Sequence, residues 1–287
     1  MKKNSLIWSD TQLTKLLTIA RLAGSEILEI YTREREFDVT YKKDDSPLTE
    51  ADRRSNFAIV EELKEWTPGI PILSEEIETV PSFKMRSSWM NYWLIDPLDG
   101  TKEFISRNGE FTVNIAHISN GVPDLGVVHV PVTGTTYLGK LGVGAWKIDG
   151  NDAVTAIKVS KCPERDGVAR VIASRSHRDQ LVDEFIQAVG AKFDKVEVVS
   201  MGSSLKICLL AEGEADIYPR FAPTCEWDTG AAHAILLAAG GDIFDTSFQS
   251  LRYNCKSELI NPHFIAIADS AYGWKEVLTP IMLLSTG

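Results

Sequence analysis

The sequence predicts a protein of mixed α and β structure, α+β in its first half and α/β in its second. Three observations carry this. Leu13, Leu16, Leu17, Ala20, Ala23, Ile27 and Tyr31 recur at helical spacing. Between 111 and 159 the chain turns to short apolar runs cut by Gly and Pro. From about 168 strand-like and helix-like stretches alternate. The change of pattern predicts an N-terminal α+β lobe over 1–160 and a C-terminal α/β lobe over 161–287, although no Gly- or Ser-rich linker marks the boundary.

The elements follow in order. Ser9-Asp10-Thr11-Gln12 resembles a capping box and opens the first helix. After a polar loop, Tyr41 to Pro47, Thr49 caps a second helix that carries Phe57, Val60, Leu63 and Trp66 and ends at Pro68-Gly69. Strands are expected at Ile70 to Leu73 and Tyr92 to Ile95, the latter broken by Pro97, which cannot donate to a ladder. Thr112 to Ile118, Gly126 to Val130, Thr135 to Leu138 and Ala145 to Ile148 read as an antiparallel sheet. Then come strand Val168 to Ala173, helix Gln180 to Val189, strand Val196 to Ser200, helix Ser204 to Ala211, strand Asp216 to Tyr218, a helix from about Thr229 to Ala239, and strand Phe264 to Ala268. The small residues Gly230, Ala231, Ala232, Ala234, Ala238 and Ala239 let that last helix approach a sheet closely.

Composition excludes several classes. With 287 residues, 44% of them hydrophobic and 24% charged, the chain reads as an ordinary soluble globular protein. No run approaches the roughly 18 apolar residues of a membrane span, and Met1 to Trp8 is too short for a secretory signal, so a cytoplasmic location is expected. The apolar tail Ile281 to Leu284 leaves peripheral membrane contact open, at the inner membrane for a bacterial chain. Cys162, Cys208, Cys225 and Cys255 form no Cys-x-x-Cys pair and read as reduced thiols. The five histidines are scattered, so a bound metal would be hard and oxygen-ligated. A formal net charge of −10 argues against a nucleic-acid partner.

Acids that end strands or open helices are those a fold can gather in one cleft. Asp96 and Asp99 flank Pro97, Glu75 and Glu76 follow a strand, Asp228 opens the small-residue helix, and Asp52 lies in a first helical turn. Taken singly, Asp228 also reads as an N-cap, Asp52 as a first-turn acid and Glu75-Glu76 as a solvated pair.

Read in order, Thr-Glu-Ala-Asp at 49–52, Ser-Glu-Glu at 74–76, Asp-Pro-Leu-Asp-Gly-Thr at 96–101 and Trp-Asp-Thr-Gly-Ala-Ala at 227–232 resemble the signature of the inositol-monophosphatase superfamily. Ser74 stands where relatives often have Gly. The resemblance implies a layered αβαβα fold and a lithium-sensitive phosphatase using two or three Mg2+ ions and a metal-activated water. Glu75, Asp96 and the Leu98 carbonyl would hold one ion; Asp96, Asp99 and Asp228 a second. Pro97 then bends the chain so that these groups converge. Asp52, Glu75 and Thr101 would be catalytic, the Thr101 hydroxyl bonded to Asp52 orienting the water and Glu75 helping to activate it. Glu75, Leu98, Asp99, Gly100, Thr101 and Asp228 would also meet the phosphate.

Further segments look like the bacterial 3′(2′),5′-bisphosphate nucleotidase branch: Lys43 to Thr49, Ser174 to His177, Gly202 to Lys206, Glu226 to His233, Tyr253-Asn254 and Asn261-Pro262. That resemblance implies a small nucleotide substrate, 3′-phosphoadenosine 5′-phosphate, hydrolysed to AMP and phosphate in sulfur assimilation. It makes His177, Gly202, Ser203, Ser204, Lys206 and Arg220 candidate substrate contacts. Gly-Ser-Ser also reads as a helix cap and Arg220 as a surface ion-pair partner. His233 is expected to pack or cap a neighbour. Two other functions stay open, an inositol or sugar monophosphatase and a nucleotide-binding regulatory protein without turnover, as do a monomer and a homodimer.

Overall fold

The computed structural model describes residues 10–33, 39–41, 47–162, 167–173 and 180–282. Helix α1 (Thr11–Tyr31) is capped by Asp10, whose carboxylate accepts from Gln12 N and Leu13 N at 3.0 and 3.2 Å. Ser9 of the expected box lies outside the described residues. A short hairpin, β1 (Val39–Tyr41) and β2 (Pro47–Thr49), leads into α2 (Glu50–Trp66). Thr49 caps α2 as expected, but Phe57 points to solvent, 70% exposed. The inward face of α2 joins Ala51, Ser55 and Ile59 to the expected Leu63, with Val60 and Trp66 packed partly buried against the same cluster.

Next come β3 (Ile72–Ser74), α3 (Phe83–Arg86), β4 (Asn91–Asp99), α4 (Thr101–Ile105), β5 (Thr112–Ser119), β6 (Val122–Val130), β7 (Thr135–Lys140), β8 (Gly144–Ile148) and β9 (Val154–Ile157). The strands β3 to β9 form one seven-stranded sheet in chain order, antiparallel throughout except for the parallel pair β3–β4. The expected break at Pro97 does not end β4. The strand continues to Asp99 through a shift of register between Asp96 and Asp99, a bulge that accommodates the proline's missing donor.

The second half supplies β10 (Val168–Ile172), α5 (Gln180–Gly190), β11 (Lys195–Val199), α6 (Leu205–Ala211), β12 (Ile217–Arg220), α7 (Glu226–Ala239), β13 (Asp242–Asp245), β14 (Phe264–Ile267) and α8 (Trp274–Met282). Its five-stranded sheet has the order β11-β10-β12-β14-β13, parallel on the β10 side and antiparallel around β14. Helix α7 begins at Glu226, three residues before the expected start. The hairpin, α3, β9, β13 and α8 were absent from the sequence reading.

Three apolar clusters define the layers. α1 and α2 pack on one face of the seven-stranded sheet, through Leu13, Leu16, Ile59 and Leu63 against Ile95, Ile115 and Val127. On its other face lie α6 and α7, whose Ile207, Leu210, Ala231 and Ile235 share a cluster with Leu94, Ala116 and Val128 of that sheet and with Ile172, Phe264 and Ala266 of the second. α5 and α8 cover the far side of the five-stranded sheet, through Val182, Phe185, Val189 and Leu278. The result is the αβαβα stack, with a helical layer from the second half seated between both sheets.

Close approach of α7 to the first sheet needs small residues on both surfaces. The helix supplies alanines; the sheet supplies Gly126 and Gly139. A Cβ on Gly126 would land on the Ala231 carbonyl and 2.8 Å from Ala234 Cβ, and one on Gly139 would lie 2.5 Å from Ile235 Cα. Gly126→Val is therefore expected to destabilise the fold by about 1–3 kcal/mol, read as a lower urea midpoint, because it overpacks this seam. An unchanged midpoint would mean that helix and sheet are less closely apposed.

Candidate active site

The bulge of β4 delivers Asp96, Leu98 and Asp99 to one end of the sheet. Ser55 on α2 donates to the Pro97 carbonyl at 2.7 Å, pinning the bulge, and the Leu98 N–H donates to Asp96 Oδ1 at 3.0 Å. Beside it, β3 ends in Ser74, and Glu75 N donates to the Ile95 carbonyl at 3.0 Å, so Glu75 emerges next to Asp96. After Asp99 the chain turns through Gly100 at φ 91° into α4, which places Thr101 at its start.

Asp52 arrives from the opposite side, as the third residue of α2. It is 2% exposed, and its Oδ2 accepts from Thr49 N at 2.8 Å and Thr49 Oγ1 at 2.6 Å. The Thr101 hydroxyl lies 3.4 Å from Asp52 Oδ1 and 3.4 Å from the Leu98 carbonyl. Asp52 is thus both a helix-capping acid and a neighbour of Thr101.

Asp99 is held by a polar group that the sequence reading missed. Its Oδ2 accepts from Ser204 N at 2.6 Å, and Thr112 Oγ1 and Asn114 Nδ2 each lie 3.4 Å away. The Ser204 hydroxyl donates to Asn114 Oδ1 at 2.9 Å. The signal was present: Thr112 and Asn114 are polar residues on the same face of β5 as the apolar Ala116 and Ile118. It also changes the role of the Gly-Ser-Ser stretch, since the Ser204 donors turn inward to Asp99 and Asn114.

Asp228 sits in the first turn of α7, where its Oδ2 accepts from Cys225 N at 2.8 Å. It faces a cleft shared with Asp99, Ser203, Ser204, Lys206, Tyr218, Arg220 and Thr224. Lys206 is 8% exposed, with Nζ donating to the Ser203 carbonyl at 3.0 Å; burial pushes its ammonium down while Asp99 favours the charged form. Arg220 Nη2 donates to the Pro223 carbonyl at 3.3 Å, and its Nε is buried without a partner among the described residues. Trp227 packs against the middle core, and His233 is fully buried between Tyr253 and Asp242. His177, with Ser174 to Ser176 and Lys43 to Ser46, lies outside the described residues.

Electrostatics tie the acids together. Desolvation and then repulsion from Glu75, Asp99 and Asp228 raise the Asp96 carboxyl well above its ordinary value, and Glu75 also hydrogen-bonds to it. Desolvation and then Asp99 raise Asp228 in the same way. Asp99 is raised by desolvation, with Lys206 and the Ser204 N–H opposing. Among the described residues no three acidic, His or Cys side chains surround a common point closely enough to hold an ion as they stand. The donor set nevertheless fits a hard dication. It is all oxygen, it carries mutually repelling negative charge, and Asp99 and Asp228 each commit Oδ2 to a backbone N–H.

The inositol monophosphatase family model matches residues 9–278, and the chain belongs to that family of metal-dependent phosphatases. Among its relatives it is similar to the 3′(2′),5′-bisphosphate nucleotidase CysQ of Salmonella typhimurium, 44% identical over 253 residues, or 88% of this chain and 98% of the relative. The CysQ of Buchnera aphidicola is 40% identical over 264 residues, 91% of this chain and 95% of that one. The crystal structure of CysQ from Bacteroides thetaiotaomicron superposes with a TM-score of 0.78 at 42% identity, covering 89% of this chain and 96% of that one. An IMPase of Thermotoga maritima shares the fold, with a TM-score of 0.73 at 22% identity, covering 96% and 98%. Among the described residues no helix is long and apolar enough to cross a membrane.

Raised carboxyls bind more protons in the folded chain than in the unfolded one, where Asp titrates near 3.8. Their contribution to stability is therefore complete below that value and is lost as pH rises through the raised folded values. In the presence of a chelator, the melting temperature is expected to fall as pH rises from acidic to mildly alkaline. Asp96→Asn should raise it and flatten that slope. A wild-type midpoint that climbs over the same range, with the same slope in Asp96→Asn, would show that burial and its acidic neighbours do not raise the Asp96 carboxyl.

Proposed function

We propose that the chain is a magnesium-dependent 3′(2′),5′-bisphosphate nucleotidase that removes the 3′-phosphate of 3′-phosphoadenosine 5′-phosphate, leaving AMP and phosphate. The observation that carries this is an acidic cluster opening onto a cationic cleft. Asp96, Asp99 and Asp228 lie at one end, and Lys206 and Arg220 line the cleft that Asp99 and Asp228 share. A substrate with two phosphates needs both ends. The relatives named 3′(2′),5′-bisphosphate nucleotidase support that choice of substrate.

Glu75, Asp96, the Leu98 carbonyl, Asp99 and Asp228 would hold magnesium, two ions or three. Bound magnesium supplies the positive charge that lets an attacking water approach an anionic ester. The chain's own residues orient the reactants. Thr49 fixes the Asp52 carboxylate through two hydrogen bonds, and Asp52 orients the Thr101 hydroxyl, which in turn directs the water. Glu75 takes the proton that the water loses. Gly100 and Thr101 present backbone N–H groups to the 3′-phosphate, while Lys206 and Arg220 meet the 5′-phosphate through charge-assisted bonds. Arg220 Nε, without a partner among the described residues, gives that guanidinium a donor to spare.

Thr101→Ala is expected to lower kcat by roughly 10²-fold with little change in KM, because the attacking water loses the hydroxyl that directs it. Lys206→Ala should instead raise KM for the bisphosphate about tenfold to a hundredfold, from one charge-assisted bond of roughly 1.5–3 kcal/mol. Phosphate release measured side by side on 3′-phosphoadenosine 5′-phosphate and inositol 1-phosphate tests the assignment. A preference for the inositol ester would overturn the nucleotide reading. No magnesium-dependent release from either would point to a binding protein.

A further inference from the structure

The turn that delivers Asp228 is held from outside by a remote segment. Glu226 N donates to the Leu259 carbonyl at 2.7 Å, Asn261 N donates to the Thr224 carbonyl at 2.8 Å, and Cys225 and Ile260 form an isolated antiparallel bridge. Asn261 adds its side chain. It is 7% exposed, and its Nδ2 lies 2.8 Å from the Cys225 carbonyl, 3.1 Å from Thr229 Oγ1 and 3.2 Å from Thr224 Oγ1. A carbonyl only accepts, so the amide must present its NH2 to the turn.

These three acceptors bracket Asp228. Thr224 and Cys225 precede it and Thr229 follows it. The Cys225 residue whose carbonyl Asn261 holds also gives its N–H to Asp228 Oδ2, at 2.8 Å. Displacing Cys225 therefore displaces the carboxylate. Thr229 is anchored independently, accepting from the Tyr253 hydroxyl at 3.2 Å and donating to the Glu226 carbonyl at 3.2 Å. Tyr253 in turn lies 3.0 Å from Nδ1 of His233, whose Nε2 is 2.9 Å from Asp242. The Asn261 amide thus ties the loose side of the turn to a rigid buried network.

We propose that Asn261 is a positioning residue: its side-chain amide fixes the Asp228 carboxylate for its cation and so sets the affinity for magnesium, not for nucleotide. The proposal rests on the reading of Asp228 as a magnesium ligand. Outer groups that orient a ligand typically change metal affinity by about 10–100-fold when removed. Asn261→Ala removes the donors. Asn261→Asp keeps the shape but sets an acceptor against the Cys225 carbonyl. Thr229→Val removes one of the three acceptors together with that hydroxyl's own bonds to Tyr253 and Glu226, but leaves the Asn261 hold on the Cys225 carbonyl in place and so serves as a milder change.

The test is calorimetric titration of the substrate-free protein with magnesium chloride, alongside the magnesium dependence of kcat. Both Asn261 variants are expected to bind magnesium about 10–100-fold more weakly. Their kcat should recover at high magnesium, with an unaltered KM for nucleotide, and Thr229→Val should shift the same way by less. Variants that bind magnesium as tightly as the wild type, or whose kcat stays low at saturating magnesium, would overturn the proposal. A wild type that binds no magnesium would instead overturn the functional reading beneath it.

Discussion

Repulsion between carboxylates is the constraint around which this molecule is arranged. Asp96 carries a backbone-derived hydrogen bond and is almost wholly buried, yet Glu75, Asp99 and Asp228 all act on it unfavourably. Such a cluster does not stabilise a fold; it has to be imposed by structure elsewhere. The imposing groups are visible as short polar bonds around each acid. Thr49 holds Asp52, Ser55 holds the bulge, Ser204 and its neighbours hold Asp99, and Cys225 holds Asp228. Ser55 fixes backbone; each of the others draws one carboxylate oxygen aside by a hydrogen bond and leaves the second oxygen for another partner.

This division of labour explains why capping and functional readings of the same acid do not compete. Asp52 and Asp228 both occupy the third position of a helix and both accept from the backbone at its cap. A carboxylate has two oxygens. The cap uses one and aims the other, so the features that make each residue look ordinary in isolation also place it.

The sequence carried much of the plan and omitted its joints. Helix α1 could be read because its apolar period is long and uninterrupted, and the strands between Thr112 and Ile148 because Gly and Pro cut them into short apolar runs. The acids could be read because strand ends and helix starts are marked by Pro, Gly and Thr. Pro97 misled, since a proline normally ends a ladder and only the register shift in β4 reconciles it with a continuous strand. Phe57 lies at helical spacing but on the solvent side, because Ala51, Ser55, Ile59 and Leu63 form the face of α2 turned to the sheet. Thr112, Asn114 and Asn261 were overlooked as supports for the acids. Their partners include residues distant in sequence, up to 92 positions away in the Thr112–Ser204 contact, and no local pattern encodes such contacts.

Helix α7 lies between two sheets and has no broad polar face: Ala231, Ala234 and Ile235 meet one sheet while Leu236 and Ala239 share the core of the other. A helix so enclosed is a keel common to both halves, and its first turn carries the Asp228 that faces the cleft. The packing of α7 between the sheets and the placing of Asp228 in the cleft are therefore carried by one helix.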